Sequence, residues 1–201
     1  ITPHPMMDEA EVEKACESAR DNGASAFGIV NSGRGPTKRE WPRILDASTA
    51  HRVAPDWVFG FPELTPQQPA AIRAARKVSN PGCYPSGGIA LLRPLVDTGF
   101  IPRDYPIVVH AVSGYSGGGK SMIEAFETGK APAFEVYGLR MEHKHVPELQ
   151  LYSGLTRRPI FVPQVGNYRQ GMIVNVPLHL DTLNKKPKAA DLHAVLADWY
   201  K

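Results

Sequence analysis

Reactive sulfur is scarce in this chain of 201 residues, which has two cysteines, Cys16 and Cys83, far apart in sequence. That argues against a disulfide scaffold and fits a reducing compartment, so a cytoplasmic location is expected. No apolar run is long enough to span a membrane, and no signal peptide is recognisable. The formal net charge is only +3, and the basic residues are scattered rather than clustered. Nucleic acid is therefore not an expected partner, although a mildly basic balance suits a small anionic substrate. Internal repeats, low-complexity stretches and metal-ligand sets at diagnostic spacing are also missing. The first residue is Ile1 rather than Met, which fits a processed or missing start.

What is present reads as globular. Hydrophobic residues make up 42% and charged residues 21% of a chain long enough for one large domain or two small ones. Helices are expected over 8–22, 70–76, the stretch after Cys83, 121–127 and 191–199. Strands are expected over 26–30, 43–46, 106–112, 135–139, 160–165 and 171–180, with 31–42 and 62–69 as connectors. Alternating elements with a strand-rich second half indicate an α/β fold, α+β in that second half.

The most informative stretch is Ser79-Asn-Pro-Gly-Cys83-Tyr-Pro. Asn-Pro-Gly is a turn signal, and Ile89, Leu91, Leu92 and Leu95 fit one helical face directly after it. Cys83 therefore belongs at or just before a helix N-terminus, where unpaired N–H groups and the helix dipole favour an anion. A thiol so placed is shifted toward the nucleophilic thiolate. The competing reading is a small buried apolar cysteine, and Cys16, with no base nearby, is read that way.

Three further stretches carry chemistry. In Glu142-His-Lys-His145-Val-Pro-Glu148 an extended backbone would turn His143 and His145 to one face as acid–base partners; two surface histidines are an equal alternative. Gly114-Tyr-Ser-Gly-Gly-Gly119-Lys120-Ser121 satisfies the phosphate-loop pattern G-x-x-x-x-G-K-S/T between a strand and a helix, so a P-loop nucleotide hydrolase is a rival function. Its weakness is the lack of an acidic magnesium-binding strand, Asp181 being the nearest candidate. In Asp46-Ala-Ser-Thr-Ala-His-Arg52 the hydroxyls and Arg52 could hold a carboxylate or phosphate, or form an ordinary capped loop.

Taken together, Ser79-Asn-Pro-Gly-Cys83-Tyr-Pro, Asp46-Ala-Ser-Thr-Ala-His-Arg52, Gly60-Phe-Pro-Glu-Leu64, Val112-Ser-Gly-Tyr-Ser-Gly-Gly-Gly119-Lys120 and Glu142-His-Lys-His145-Val-Pro-Glu148 resemble, in order, the N-acetyl-gamma-glutamyl-phosphate reductase family. The likeness is to its shorter bacterial branch, within the glyceraldehyde-3-phosphate dehydrogenase-like superfamily, and runs from about Arg43 to Lys201. It implies a Rossmann-type cofactor domain joined to a catalytic and dimerisation domain with a mixed β-sheet. It also implies that Cys83 attacks an acyl phosphate and forms a thioester, which NADPH reduces to N-acetyl-glutamate 5-semialdehyde in arginine biosynthesis. By the same resemblance His145, with His143 competing, is the acid–base partner. Arg52, Ser113 and Glu142 would bind substrate, Ser116, Gly117 and Gly118 would approach NADP, and the assembly would be a homodimer or homotetramer.

The departures from that family are equally specific. Its G-x-x-G-x-x-G turn for the dinucleotide phosphates has no counterpart: Gly33-Arg-Gly35 is followed by Lys38 where the third glycine would stand. Residues 1–42 do not resemble the family, and the family continues beyond Lys201. The expectation is thus a partial or altered cofactor-domain region over 1–82 and a C-terminally truncated catalytic and dimerisation domain over 83–201. A dimerising remnant without cofactor affinity is the non-enzymatic alternative.

Overall fold

The computed structural model describes residues 44–201, together with Lys14. The helix expected over 8–22, the strand over 26–30, the loop over 31–42 and Cys16 lie outside the described residues.

Three short strands, β1 (Ile44–Asp46), β2 (Val58–Phe59) and β3 (Lys77–Ser79), form a parallel sheet in the order β1-β3-β2. Helix α1 (Gln68–Ala74) enters β3. It begins two residues earlier than its sequence pattern suggests, because Pro69 occupies the first turn, where its missing N–H costs nothing. Strand β3 has no sequence signature of its own, because three residues between two neighbouring strands, the last two of them buried, show no alternation.

Helix α2 (Cys83–Asp97) follows. Ile89 and Leu92 are fully buried and Leu95 nearly so, as the apolar spacing requires, whereas Leu91 is only half-buried. Burial of each such side chain contributes roughly 1.5–3 kcal/mol. Pro94 lies inside the helix and cannot donate to the carbonyl of Ala90. The hydroxyl of Tyr200 donates to that carbonyl instead, at 2.8 Å.

The second sheet has the order β5-β6-β4-β7. It comprises β4 (Val108–Gly114), β5 (Phe134–Val136), β6 (Ile160–Gly166) and β7 (Met172–Asn175). β4 and β6 run parallel, while β7 and β5 pair antiparallel at either side, so the sheet is mixed. β7 stops short of the expected Leu180. Pro177 has no N–H for the ladder, yet Val176, Leu178 and Leu180 still pack on the core. Helix α3 (Lys120–Glu127) follows a glycine turn after β4, and α4 (Val146–Tyr152) precedes β6. Helix α5 (Ala189–Trp199) closes the chain, its entry fixed by Asp191 Oδ2 accepting the N–H of Lys188 at 2.7 Å.

One face of this sheet is buried. Val109, Ala111 and Phe161 are covered by α2, α4 and α5, in a core with Leu92, Leu149 and Leu155. The two sheets are tied together by α4 and α5. Tyr152 stacks on Phe59 with centroids 3.7 Å apart, and Trp199 Nε1 donates to Glu63 O at 3.1 Å. Among the described residues, no helix is long and apolar enough to cross a membrane.

Candidate active site around Cys83

The segment linking the two sheets places the cysteine. β3 ends at Ser79, Asn80 N donates to Asp46 O at 2.7 Å, and the Pro-Gly turn then delivers Cys83 as the first residue of α2. Among the described residues, no side chain caps that end of the helix. Cys83 is a free and exposed thiol at the positive end of a 15-residue helix.

The histidines reach the same place by a turn, not by the extended segment their spacing suggests. His145 is the N-cap of α4, and its N–H donates to Nδ1 of His143 at 3.2 Å. Their rings meet edge to face, 4.6 Å apart. The two rings still share one site, because a turn before a helix folds the chain back on itself where a strand would have alternated.

Gly82 is where the polar groups converge. A Cβ on this residue would stand 2.7 Å from each of Arg52 Nη1, Glu148 Oε1 and His145 Nε2. Glu148, only 1% exposed, accepts from Arg52 Nη1 at 2.7 Å through Oε1 and from Gly82 N–H at 3.0 Å through Oε2. Burial raises the pKa of its carboxyl, restrained by the Gly82 N–H and by Arg52. Burial also lowers His145 to about 3, with the charges of His143, Arg52 and Lys144 adding to the effect. His143 is lowered as well, first by burial and then by Lys144. Both rings are accordingly neutral at neutral pH.

The other expected site residues divide into two groups. Arg52 is buried behind Gly82, its guanidinium engaged by Glu148 and, at 3.1 Å, by Ala47 O. It supports the cysteine turn from behind, with Nε buried and unpaired among the described residues. Ser113, on β4, is hydrogen-bonded at 2.8 Å to the hydroxyl of Tyr84, next in sequence to Cys83. Glu142 faces outward in an ion pair with Arg158 at 2.9 Å, which holds its carboxyl below the ordinary range.

Ser116, Gly117 and Gly118 lie in an exposed single turn between β4 and α3. Gly118 is required by packing, since a Cβ there would collide with Met122, whereas Gly117 is open to solvent. The N–H groups of Gly114, Tyr115 and Ser116 are taken by the carbonyls of Gly171, Tyr168 and Arg169. The phosphate-loop pattern thus loses three of its donors to the neighbouring 168–171 segment. Asp181 lies in a turn, Leu180–Thr182, rather than at a strand end.

A nicotinamide dinucleotide also needs a strand, a glycine turn and a helix N-terminus for its phosphates. In the parallel sheet, α1 opens on Gln68 and Pro69 and α2 opens on Cys83. The described residues therefore fit thiol chemistry but do not themselves form a dinucleotide-phosphate site. No group of three or more His, Cys, Asp or Glu among them could hold a metal ion.

The sequence profile of the semialdehyde dehydrogenase dimerisation domain matches residues 83–201. The chain belongs to the semialdehyde dehydrogenase family. Within that family it is 55% identical over 161 residues to an N-acetyl-gamma-glutamyl-phosphate reductase of Burkholderia lata, covering 79% of this chain and 51% of that protein. A protein of the same name from Brucella suis is 56% identical over 163 residues, with coverages of 79% and 53%. The chain thus spans about half the length of the curated relatives it matches.

Solved semialdehyde dehydrogenase structures share the fold at low identity. Aspartate semialdehyde dehydrogenase II from Vibrio cholerae has a TM-score of 0.54 at 18% identity, covering 77% of this chain and 52% of that one. The enzyme from Francisella tularensis has a TM-score of 0.58 at 9% identity, with coverages of 96% and 61%.

Glu148, Gly82, Tyr84 and Tyr137 are the site residues that sequence reasoning did not assign. The spacing of His145 and Glu148, three residues apart from a helix N-cap, was the available signal for one of them.

Proposed function

We propose that this chain carries the acylation chemistry of an N-acetyl-gamma-glutamyl-phosphate reductase, a cytoplasmic homo-oligomeric enzyme of arginine biosynthesis. The observation that carries the reading is an exposed Cys83 at a helix N-terminus with His145 Nε2 over the preceding Gly82. The identity above 50% to proteins of that name supplies the substrate class.

In the first step the Cys83 sulfur attacks the acyl carbonyl carbon, and its proton passes to Nε2 of neutral His145. The tetrahedral species collapses with cleavage of the carbonyl C–O bond to phosphate. Phosphate leaves with the electron pair and takes up the proton held by His145. A thioester on Cys83 and inorganic phosphate are the products. The backbone N–H groups at the uncapped start of α2 favour the negative charge on the carbonyl oxygen. The NADPH cofactor, when bound, supplies the hydride that reduces the thioester to the aldehyde. Since the described residues do not form its phosphate site, only the acyl-transfer half of the reaction is derived from them.

The outer face of the mixed sheet is the proposed contact with a second copy. It exposes Phe134, Val136, Ile160 and Ile173, an apolar surface on a domain whose family profile is one of dimerisation.

The acylation step is tested without reductant. Intact-mass measurement after mixing with N-acetyl-gamma-glutamyl phosphate should show one acyl adduct, with phosphate released in equal amount. Cys83→Ser should give neither while remaining folded by circular dichroism. Phosphate release at the wild-type rate from that variant would overturn the thioester mechanism.

A further inference from the structure

Tyr84, the residue after the nucleophile, has no role in the chemistry above, yet it is 2% exposed and its hydroxyl makes three hydrogen bonds. The phenol oxygen lies 2.8 Å from Ser113 Oγ on β4 and 2.8 Å from the main-chain oxygen of Gln164 on β6. It also lies 3.2 Å from the hydroxyl of Tyr137. A phenol has one proton, and the Gln164 carbonyl can only accept. Tyr84 therefore donates to Gln164, and both Ser113 and Tyr137 donate to Tyr84.

This assignment has two consequences. The Tyr84 hydroxyl is saturated, with no proton left for a substrate. Burial raises its pKa, the main cause, so the phenol stays protonated and the pattern does not reverse near neutral pH. The side chain is thus fixed at its polar end to both central strands of the mixed sheet. Its ring is fixed as well, edge-on to His145 at 5.9 Å and to Phe161 at 5.3 Å. Phe161 in turn meets the ring of His143 at 5.1 Å. Cys83 lies close enough for its charge to act on both Tyr84 and Tyr137.

We propose that Tyr84 is the positioning residue of Cys83: its phenol, held by Ser113, Tyr137 and the Gln164 carbonyl, locks the first turn of α2 onto the mixed sheet and so sets the thiol against the helix end and His145. The inference rests on the reading of Cys83 as the nucleophile. Without the hydroxyl, Ser113 Oγ, the Tyr137 hydroxyl and the Gln164 carbonyl lose this contact. The first turn of α2 is then held to the mixed sheet by ring packing alone, while the Gly82 N–H bond to Glu148 on its other side remains. The groups that titrate around the thiol (Tyr137, His143, His145 and the Arg52–Glu148 pair) all remain.

The test is the pH dependence of Cys83 alkylation by iodoacetamide, in a Cys16→Ser background. Tyr84→Phe should raise the midpoint of the profile, so that alkylation near neutral pH falls by at least roughly threefold while the alkaline plateau is unchanged. A profile superimposable on that of the parent would overturn the proposal. If Tyr84→Phe does not fold, the double variant Ser113→Ala with Tyr137→Phe removes both donors and keeps the tyrosine. The same upward movement is expected there, and an unchanged profile overturns the proposal equally. Alkylation needs no acyl phosphate. A chain that never forms the thioester but shows the shift would sink the proposed reaction and leave the positioning role standing.

Discussion

Gly82 owes its identity to what surrounds it. Its φ of −69° is open to any residue, so the requirement is space, with three polar side-chain atoms where a Cβ would be. Those atoms carry an electrostatic cost that pH exposes. His145 is held neutral, at about 3, against an ordinary 6.5. Between those values the unfolded chain binds a proton that the folded chain refuses. Stability is therefore fully present above pH 6.5 and is lost as pH falls toward 3. The slope from this one group is at most roughly 1.4 kcal/mol per pH unit. His143 adds in the same direction. Replacing His145 by Gln should flatten the fall in melting temperature as the buffer is taken from neutral to mildly acid. Parallel curves for the two proteins would mean that the imidazole is not held neutral by burial.

The decisive feature at the scale of the element is how α4 and α2 present their ends. Helix α4 turns His145, Glu148 and Tyr152 toward the loop before β2: Glu148 binds the Arg52 side chain and Tyr152 donates to its carbonyl at 2.6 Å. Three groups at helical spacing thus grip one loop and the turn before the cysteine. Helix α2 continues past Pro94 because the carbonyl that proline orphans is satisfied from outside. Tyr200→Phe removes that donor and leaves Ala90 O unpaired. The expected loss is about 1 kcal/mol, or roughly 2–4 °C in melting temperature. A melting curve identical to that of the parent would show that water replaces the hydroxyl there.

At the scale of the whole molecule, the described residues cover the mixed sheet on one face only. The register aligns Val112 with Gln164 and Ile173 and aligns Val136 with Gln164, so these side chains share the outer face. Ile173 is 61% exposed there. A charge at that position should cost little in the single chain and much in an assembly. Ile173→Asp is expected to halve the mass found by light scattering without lowering helix content. A variant with the parent's mass would place the contact elsewhere.

The amino-acid sequence by itself determined the local features whose cause is local. The Asn-Pro-Gly turn and the apolar spacing placed Cys83 at the start of a helix, and the β-branched runs at 107–112 and 160–165 marked the central strands of the mixed sheet. The ordered motifs pointed to the family. Tertiary structure decided whatever depends on distant partners. It made a strand of Lys77–Ser79, which has two neighbours but no pattern, and it ended β7 before Pro177 despite continued alternation. It also made Arg52 the buried partner of a carboxylate 96 residues away. Nothing in Arg52 or Glu148 separately reports that pairing, because a charge is stable in the interior only when chain topology delivers its counter-charge. The same holds for Tyr84, whose hydroxyl has meaning only once β4, β6 and Tyr137 surround it.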